Sequence, residues 1–192
     1  MSYYLEIWLR GYAKDKIIEV SNVNEEFHPH ITLIRPFTKI NTSESVLKSK
    51  ISNFCQGQEL IFFNLEGINT FKEDLVYANL TNQEELLSFN YLLEELLKPD
   101  VEFKEKLNER KILHAYIGGK NKTINFPNIE QYMLRLTAIK DKRIWFSYDF
   151  ITDKTLDREE SLDKIKWYST VHEFSKKYKL LPTRQGYQEI TD

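Results

Sequence analysis

The sequence predicts an α+β protein with two similar halves, each an antiparallel sheet with helices on its outer face. Stretches in which apolar and polar residues alternate predict strands, and stretches with apolar residues three and four apart predict helices. One order of elements, a strand, a short helix, a hairpin and a long helix, occurs twice. We therefore predict one bilobal domain over 1–192, with two pseudo-symmetric sheets, a central groove and repeated halves at about 28–98 and 112–178.

The chain opens with two predicted strands. The first spans 3–10, where every second residue is apolar and predicts a side that faces the core. Residues 12–27 are polar with little pattern and are predicted as a loop. The second strand runs from 30 to about 35 and is predicted to end at Pro36, which cannot donate to a sheet ladder.

A helix, a hairpin and a second helix complete the first half. Thr42 or Ser43 is predicted to cap a helix that ends before Gly57. Alternating residues over 59–80, with a polar turn at 72–74, then predict a hairpin. Helical spacing over about 82–97 predicts the long helix of this half.

The second half repeats this order. "LHAYIGG" at 113–119 predicts a short strand, and Pro127 is well tolerated at the start of a predicted short helix. The run over 133–150 predicts a hairpin that turns at residues 141 and 142. Asp157 followed by Glu160 forms a capping-box pattern ahead of a long amphipathic helix.

Composition excludes several classes of function. The chain is 41% hydrophobic and 14% aromatic with 29% charged residues, which is typical of a globular protein. Its net charge of −2 does not favour binding to long duplex DNA or to an anionic membrane, both of which attract basic proteins. A single cysteine, Cys55, excludes an internal disulfide and a cysteine-based metal cluster. Because no apolar run approaches the ~20 residues of a membrane span, we expect a soluble cytoplasmic protein.

Two strands of the predicted fold carry a histidine and a hydroxyl on one face. Alternation places His30 and Thr32 together, and it places His114 and Tyr116 together. The two histidines occupy matching positions in the two halves. If the halves face each other across a groove, both imidazoles and both hydroxyls converge there.

Such a set of side chains suits phosphoryl transfer. In-line attack on a phosphodiester needs a proton removed on one side and a proton supplied on the other. Because the ordinary pKa of histidine is about 6.5, the two imidazoles can share these tasks near neutral pH. The hydroxyls can donate hydrogen bonds to the phosphate oxygens as charge develops.

At these residues the chain resembles the two-histidine (2H) phosphoesterases, which include the 2′-5′ RNA ligase-like proteins and cyclic phosphodiesterases. "HPHITL" is similar to the first family motif, and "LHAYIGG" lies where the second is expected. The resemblance implies a bilobal fold, no metal or other cofactor, His30 and His114 as the acid and base, and Thr32 as a phosphate ligand. It also implies hydrolysis, or in reverse formation, of 2′,3′-cyclic or 2′-5′ phosphodiester bonds in nucleotides or short RNA ends.

Two alternatives remain open from the sequence. The second motif has Tyr116 where the family has threonine or serine, so the chain is either an enzyme or a binding protein that holds a nucleotide or RNA end without cleaving it. A zinc site that uses His28 with both motif histidines is the other alternative. Among residues near the motifs, we name Phe71, Tyr148 and Lys120 as candidates for substrate binding.

Overall fold

A computed structural model of the chain describes residues 1–21, 28–71, 75–104, 113–119 and 125–191. The elements in chain order are β1 (Tyr3–Trp8), α1 (Gly11–Ser21), β2 (His30–Lys39), α2 (Glu44–Cys55), β3 (Phe62–Phe71), β4 (Leu75–Thr81), α3 (Glu84–Leu97), β5 (Val101–Phe103), β6 (His114–Gly119), β7 (Ile129–Tyr132), β8 (Arg135–Lys140), β9 (Arg143–Asp149), β10 (Lys154–Leu156), α4 (Arg158–Leu162), α5 (Lys164–Tyr178), β11 (Leu180–Pro182) and β12 (Tyr187–Glu189). None of the helices in these described ranges is long and apolar enough to cross a membrane.

The strands build a large antiparallel sheet. Within the described residues it has ten strands in the order β10-β9-β8-β1-β2-β6-β4-β3-β7, with β5 paired to β2, while β11 and β12 form a separate ribbon. The predicted α+β class is confirmed. The two predicted sheets are joined edge to edge where β2 meets β6 at the pair Ile31 and Ala115.

The hairpins cross between the halves that the sequence suggests. The hairpin β3–β4 belongs to the first half, yet β4 pairs with β6 of the second half. In the same way, the late hairpin β8–β9 pairs with β1, which pairs with β2. Each histidine strand therefore belongs to a layer that is completed by strands distant in sequence.

The sheet must curl strongly. In the strand order β7 and β8 lie six positions apart, which is about 29 Å across a flat sheet. Only Met133 and Leu134 connect these two strands, and such a link reaches roughly 10 Å. The curl brings β7 back toward β8 and leaves a recess on one face of the sheet.

The opposite face of the sheet carries the core. Apolar side chains of α1, α2 and α3 pack against this face in one continuous cluster with the sheet residues. Ile31 and Ala115 at the joint are fully buried within it, each 0% exposed. The side chains that neighbour them along each strand therefore point to the other face, which we call the motif face.

The prediction of a loop over 12–27 is wrong in its first part. Helix α1 covers Gly11–Ser21, while 22–27 lie outside the described residues. Only Ala13 and Ile17 of this helix are buried. Two apolar contacts one turn apart leave a weak periodic signal, because the remaining residues are mostly polar.

The prediction that Pro36 ends the second strand is also wrong, since β2 continues to Lys39. Tyr3 and Leu5 on β1 pair with Phe37 and Ile34 on β2. Two residues of β2, Arg35 and Pro36, therefore lie opposite the single residue Tyr4, which is a bulge. Pro36 lies in this bulge, where a strand tolerates a residue that cannot donate to the ladder.

Two predictions in the second half need correction. No helix begins near Pro127; residues 125–128 are irregular and lead into β7. The long final helix is divided at Asp163, which ends α4 and caps α5. The predicted capping box at its start is confirmed, because the carboxylate of Asp157 accepts from Glu160 N at 2.8 Å and the Glu160 side chain accepts from Asp157 N at 3.1 Å.

Candidate active site

The joint between β2 and β6 brings the two predicted motifs together. With Ile31 opposite Ala115 in an antiparallel pair, Thr32 lies beside His114 across the strands. By the same alternation, His30 lies beside Tyr116. The motif face at this joint therefore holds the predicted histidines and hydroxyls: His30, Thr32, His114 and Tyr116. Thr32 and His114 are exposed, and His30 and Tyr116 are half-buried.

The ring of His30 is held by contacts at both nitrogens. Nδ1 lies 2.9 Å from the carbonyl oxygen of His28, and Nε2 lies 3.1 Å from Oε1 of Glu6. A carbonyl oxygen only accepts, so Nδ1 carries a hydrogen. A proton must also lie between Nε2 and the carboxyl oxygen, because two lone pairs at this distance repel. His30 and Glu6 thus share one proton beyond that on Nδ1.

Glu6 is a buried carboxyl on the motif face of β1. It is 4% exposed, and its Oε2 accepts a hydrogen bond from Nε1 of Trp8 at 2.9 Å. Burial raises the pKa of Glu6 above its ordinary value, while the charge of His30 and the Trp8 hydrogen bond lower it. This carboxyl is therefore suited to exchange a proton with the imidazole beside it.

His114 lies at the end of β6 against the aromatic ring of Tyr77. The two ring centroids are 5.0 Å apart with an angle of 49° between the planes. Tyr77 is paired with Tyr116, and Asn79 is paired with His114, between β4 and β6. Strand β4 thus supplies one wall of the motif face, with an aromatic ring against one catalytic candidate.

The ring of His28 is packed against Trp8 and is not part of the proposed acid–base pair. Its ring packs on Trp8 with centroids 4.0 Å apart, and its Nε2 is buried without a hydrogen-bond partner among the described residues. Burial, with the charges of Arg10 and Lys14, lowers the pKa of His28 to about 3. His28 is therefore neutral near pH 7. Within the described ranges, no group of three or more His, Cys, Asp or Glu is arranged to hold a metal ion.

The three residues named for substrate binding have different outcomes. Tyr148 is 3% exposed and donates to Asp153 at 2.5 Å, so its ring is enclosed in the core and we leave it out of the site. Lys120 and the side chain of Phe71 lie outside what the structure describes.

Sequence reasoning missed Glu6 and did not place Trp8 or strand β4 beside the motifs. Alternation along β1 already separated Glu6 and Trp8 from the apolar side of that strand. What it did not provide was the pairing, in which Glu6 is opposite Thr32 and Trp8 is opposite His30. The sequence does show a carboxylate and an indole on the polar side of the first strand. These two side chains indicate a site only when the pairing of that strand with β2 is known.

Two strands that each bear a histidine and a hydroxyl, adjacent on one face of an antiparallel α+β fold, form the arrangement that the resemblance to the 2H phosphoesterases implies. The chain belongs to the 2′-5′ RNA ligase superfamily, whose family model matches residues 23–150, about two thirds of the chain. The matched span contains both histidine strands. No curated protein matches this sequence. Membership implies phosphoester chemistry of the 2H type on RNA or nucleotides.

Proposed function

We propose that this protein is a metal-independent phosphodiesterase that hydrolyses, or in reverse forms, 2′,3′-cyclic or 2′-5′ phosphodiester bonds in RNA ends or nucleotides. The observation that carries the proposal is the position of His30 and His114 on one face, on strands that touch at a single buried pair. A phosphorus atom above this joint has an imidazole on either side. General acid–base catalysis by two such groups needs no other proton carrier.

The two histidines differ in what surrounds them, and this suggests their roles. His30 shares a proton with Glu6 at Nε2 and is therefore supplied with the proton that a leaving oxygen needs. We assign His30 as the general acid and His114 as the general base. His114 takes a proton from water, the water oxygen bonds to phosphorus, and the bond between phosphorus and the departing ribose oxygen breaks. The proton on Nε2 of His30 is transferred to that oxygen when the ring turns from Glu6 toward the substrate. The product is a phosphomonoester with a free hydroxyl.

The hydroxyls complete the proposed site. Thr32 and Tyr116 come from the opposite strand to the histidine that each one neighbours. Both can donate to the non-bridging oxygens while charge develops on them, which is where preorganised donors have their largest effect. Tyr116 is half-buried beside Tyr77 and has a longer side chain than the threonine or serine of the family motif. We therefore propose that its hydroxyl reaches the phosphate from the β4 wall of the site.

The direct test is conversion of defined substrates. Purified protein is incubated with a nucleoside 2′,3′-cyclic phosphate and with a 2′-5′-linked dinucleotide, and products are separated by liquid chromatography and identified by mass. We expect a monophosphate product from at least one of them, with a rate that excess chelator does not change. Absence of product from both, or loss of activity with chelator, would contradict the proposal.

Glu6→Gln should change the pH dependence of catalysis more than its maximum. Without the negative charge, a proton on Nε2 of His30 is held less firmly, so activity that depends on this proton is lost at lower pH. We expect the alkaline side of the profile of kcat/KM to move down in pH. The variant Glu159→Gln, at an exposed position, serves as the control and should leave the profile in place. An unmoved alkaline limb in Glu6→Gln would refute His30 as the acid.

Tyr116→Phe tests whether the unusual second motif is catalytic. Loss of one hydroxyl donor to the developing charge should lower kcat by about 10²-fold. The companion variant Tyr116→Thr restores the usual family residue. It distinguishes an enzyme that uses Tyr116 in catalysis from a binding protein in which Tyr116 prevents turnover. If the natural protein binds substrate without turnover and Tyr116→Thr becomes active, the protein is a binding protein; steady-state kinetics and equilibrium binding of the same substrate decide this.

A further inference from the structure

A cavity of about 200 Å³ lies next to the candidate active site. It is lined by residues from β1, the start of α1, β7, β8, α5 and the ribbon β11–β12. We propose that this cavity binds a second phosphate group of the same substrate, so that the preferred substrate is an RNA end or nucleotide with a phosphate besides the one that reacts. This inference rests on the proposed function for the identity of the substrate.

The charge of the cavity is the first argument. Arg10 and Arg135 are both in its wall, and no aspartate or glutamate is among the lining residues that the structure describes. Arg135 is neutralised by Asp149, with Nε to Oδ2 at 2.9 Å. Arg10 has no carboxylate partner among the described residues. Within the described ranges, one positive charge in the wall is therefore left without an anion, which is an expensive arrangement for a partly enclosed cation.

Aromatic rings hold Arg10 in place instead. Its guanidinium lies 4.3 Å from the ring centroid of Trp167 and 5.8 Å from that of Trp8. Burial, together with the charge of Arg135, lowers the pKa of Arg10 to about 10, so it stays charged near pH 7. A guanidinium stacked on an indole keeps its edge N–H groups available for two parallel hydrogen bonds to an oxyanion.

Further donors face the same region. Nη1 of Arg135 is buried with no hydrogen-bond partner in the described part of the chain, and Arg135 as a whole is only 6% exposed. Gly11, the first residue of α1, also lines the cavity, and the preceding Arg10 has no acceptor with which to cap the helix. The positive end of the helix dipole adds to an environment that suits an anion.

The position of the cavity relates it to the reaction. Trp8 forms part of its wall and donates to Glu6, whose other oxygen contacts His30. One carboxylate thus separates the cavity from the proposed general acid. Contacts of 2.9 and 3.1 Å thus link the cavity wall to His30, and under this proposal the group bound in the cavity and the reacting phosphorus belong to one nucleotide or to adjacent nucleotides. The cavity is smaller than the 300–1,000 Å³ that drug-sized ligands occupy, so it suits a single group.

Several walls of the cavity come from outside the part of the chain that matches the superfamily. Trp167, Gly186 and Tyr187 follow residue 150, where the match ends. A Cβ at Gly186 would lie 2.3 Å from a carboxylate oxygen of Glu130, so a larger residue in the ribbon would require the Glu130 side chain to move. The cavity is therefore built by the C-terminal part of this chain on a fold shared with the superfamily.

Matched substrates test the proposal through the active site. We compare kcat/KM for adenosine 2′,3′-cyclic phosphate with and without a 5′-phosphate. The natural protein should prefer the phosphorylated form about tenfold or more, as expected for charge-assisted hydrogen bonds. Arg10→Met should bring this ratio close to one, and Arg10→Lys, which retains a charge, should give an intermediate ratio. The exposed Arg143→Met is the control and should keep the natural ratio. Equal ratios in all four proteins would overturn the proposal.

A second readout does not depend on turnover. Inorganic phosphate is titrated at constant ionic strength while tryptophan fluorescence is followed, because Trp8 and Trp167 flank Arg10. We expect Arg10→Met to weaken phosphate binding at least tenfold and Arg143→Met to leave it unchanged. This result supports the cavity as a phosphate site even if neither nucleotide is hydrolysed. Absence of hydrolysis would contradict only the proposed function. Phosphate binding without any preference for the 5′-phosphorylated substrate would overturn the assignment to the substrate. Binding indifferent to Arg10 would overturn the site itself.

Discussion

Alanine in place of His30 or of His114 is expected to lower kcat on a 2′,3′-cyclic or 2′-5′ substrate by about 10²- to 10⁴-fold. Each substitution removes one of the two proton transfers that an in-line displacement requires. Because the two imidazoles act on one transition state, the double variant should lose much less than the product of the two single losses. Such non-additivity is specific to groups that work on the same reacting atoms.

The exposed His172 on α5 provides the matched control. His172→Ala changes the same kind of side chain away from the joint and should retain natural activity. Circular dichroism and thermal unfolding of all variants would verify that the fold is kept, since neither motif histidine belongs to the buried apolar cluster. Near-natural kcat in a folded His30→Ala or His114→Ala protein would refute the assignment of acid and base.

Asp149→Ala is expected to reduce the free energy of unfolding by about 3–5 kcal/mol. Its carboxylate accepts from Nε of Arg135 and from the hydroxyl of Thr170, and it also accepts from the backbone N–H groups of Ile151 and Thr152. Arg135 is 5% exposed at its side chain and Asp149 is 1% exposed. Removal of the carboxylate leaves a buried guanidinium without a counter-charge, which is the costly half of a buried ion pair.

Urea unfolding followed by far-ultraviolet circular dichroism measures this loss. The exposed Glu159→Ala is the control for removal of one acidic side chain and should change the free energy of unfolding by less than about 0.5 kcal/mol. Asp149→Asn keeps the shape and part of the hydrogen bonding and should lie between the two. A loss below about 1 kcal/mol in Asp149→Ala would show that the pair contributes little to holding α5 on the sheet.

Local patterns in the sequence predicted the parts of this site that lie on single strands. Alternation alone placed His30 with Thr32 and His114 with Tyr116, because the two-residue period of a strand needs no knowledge of its neighbours. The capping box at Asp157 was likewise readable, since both of its hydrogen bonds lie within four residues. These features depend only on covalent geometry and nearby atoms.

The parts that were missed depend on pairing between distant segments. Glu6 became a partner of His30 only through the register of β1 on β2. That register contains a second shift, in which Leu5 and Glu6 pair with Ile34 and Thr32, so that Leu33 and Ile34 are both buried. Asn90 of α3 donates to the carbonyl of Leu33 at 2.7 Å beside this shift. No short stretch of sequence contains such information.

The cavity wall is a similar case. Arg10 and Trp167 lie far apart in the chain, and each reads as an ordinary surface residue in its own segment. Their contact follows from the curl that returns β7 to β8 and from the docking of α5 on the recessed side. A stacked guanidinium is thus a property of the assembled sheet.

The single buried pair that joins β2 to β6 has a consequence for how the protein matures. Ile31 and Ala115 meet across a stretch of chain that includes a complete hairpin and two helices. Pairings of such long sequence separation close slowly, since the entropy of the intervening loop is lost before the contact stabilises anything. A nascent polypeptide on the ribosome holds only one of the two proposed proton carriers until residue 114 has been added. The proposed pair of proton carriers therefore assembles only after more than half of the chain has been made and the β2–β6 pairing has formed.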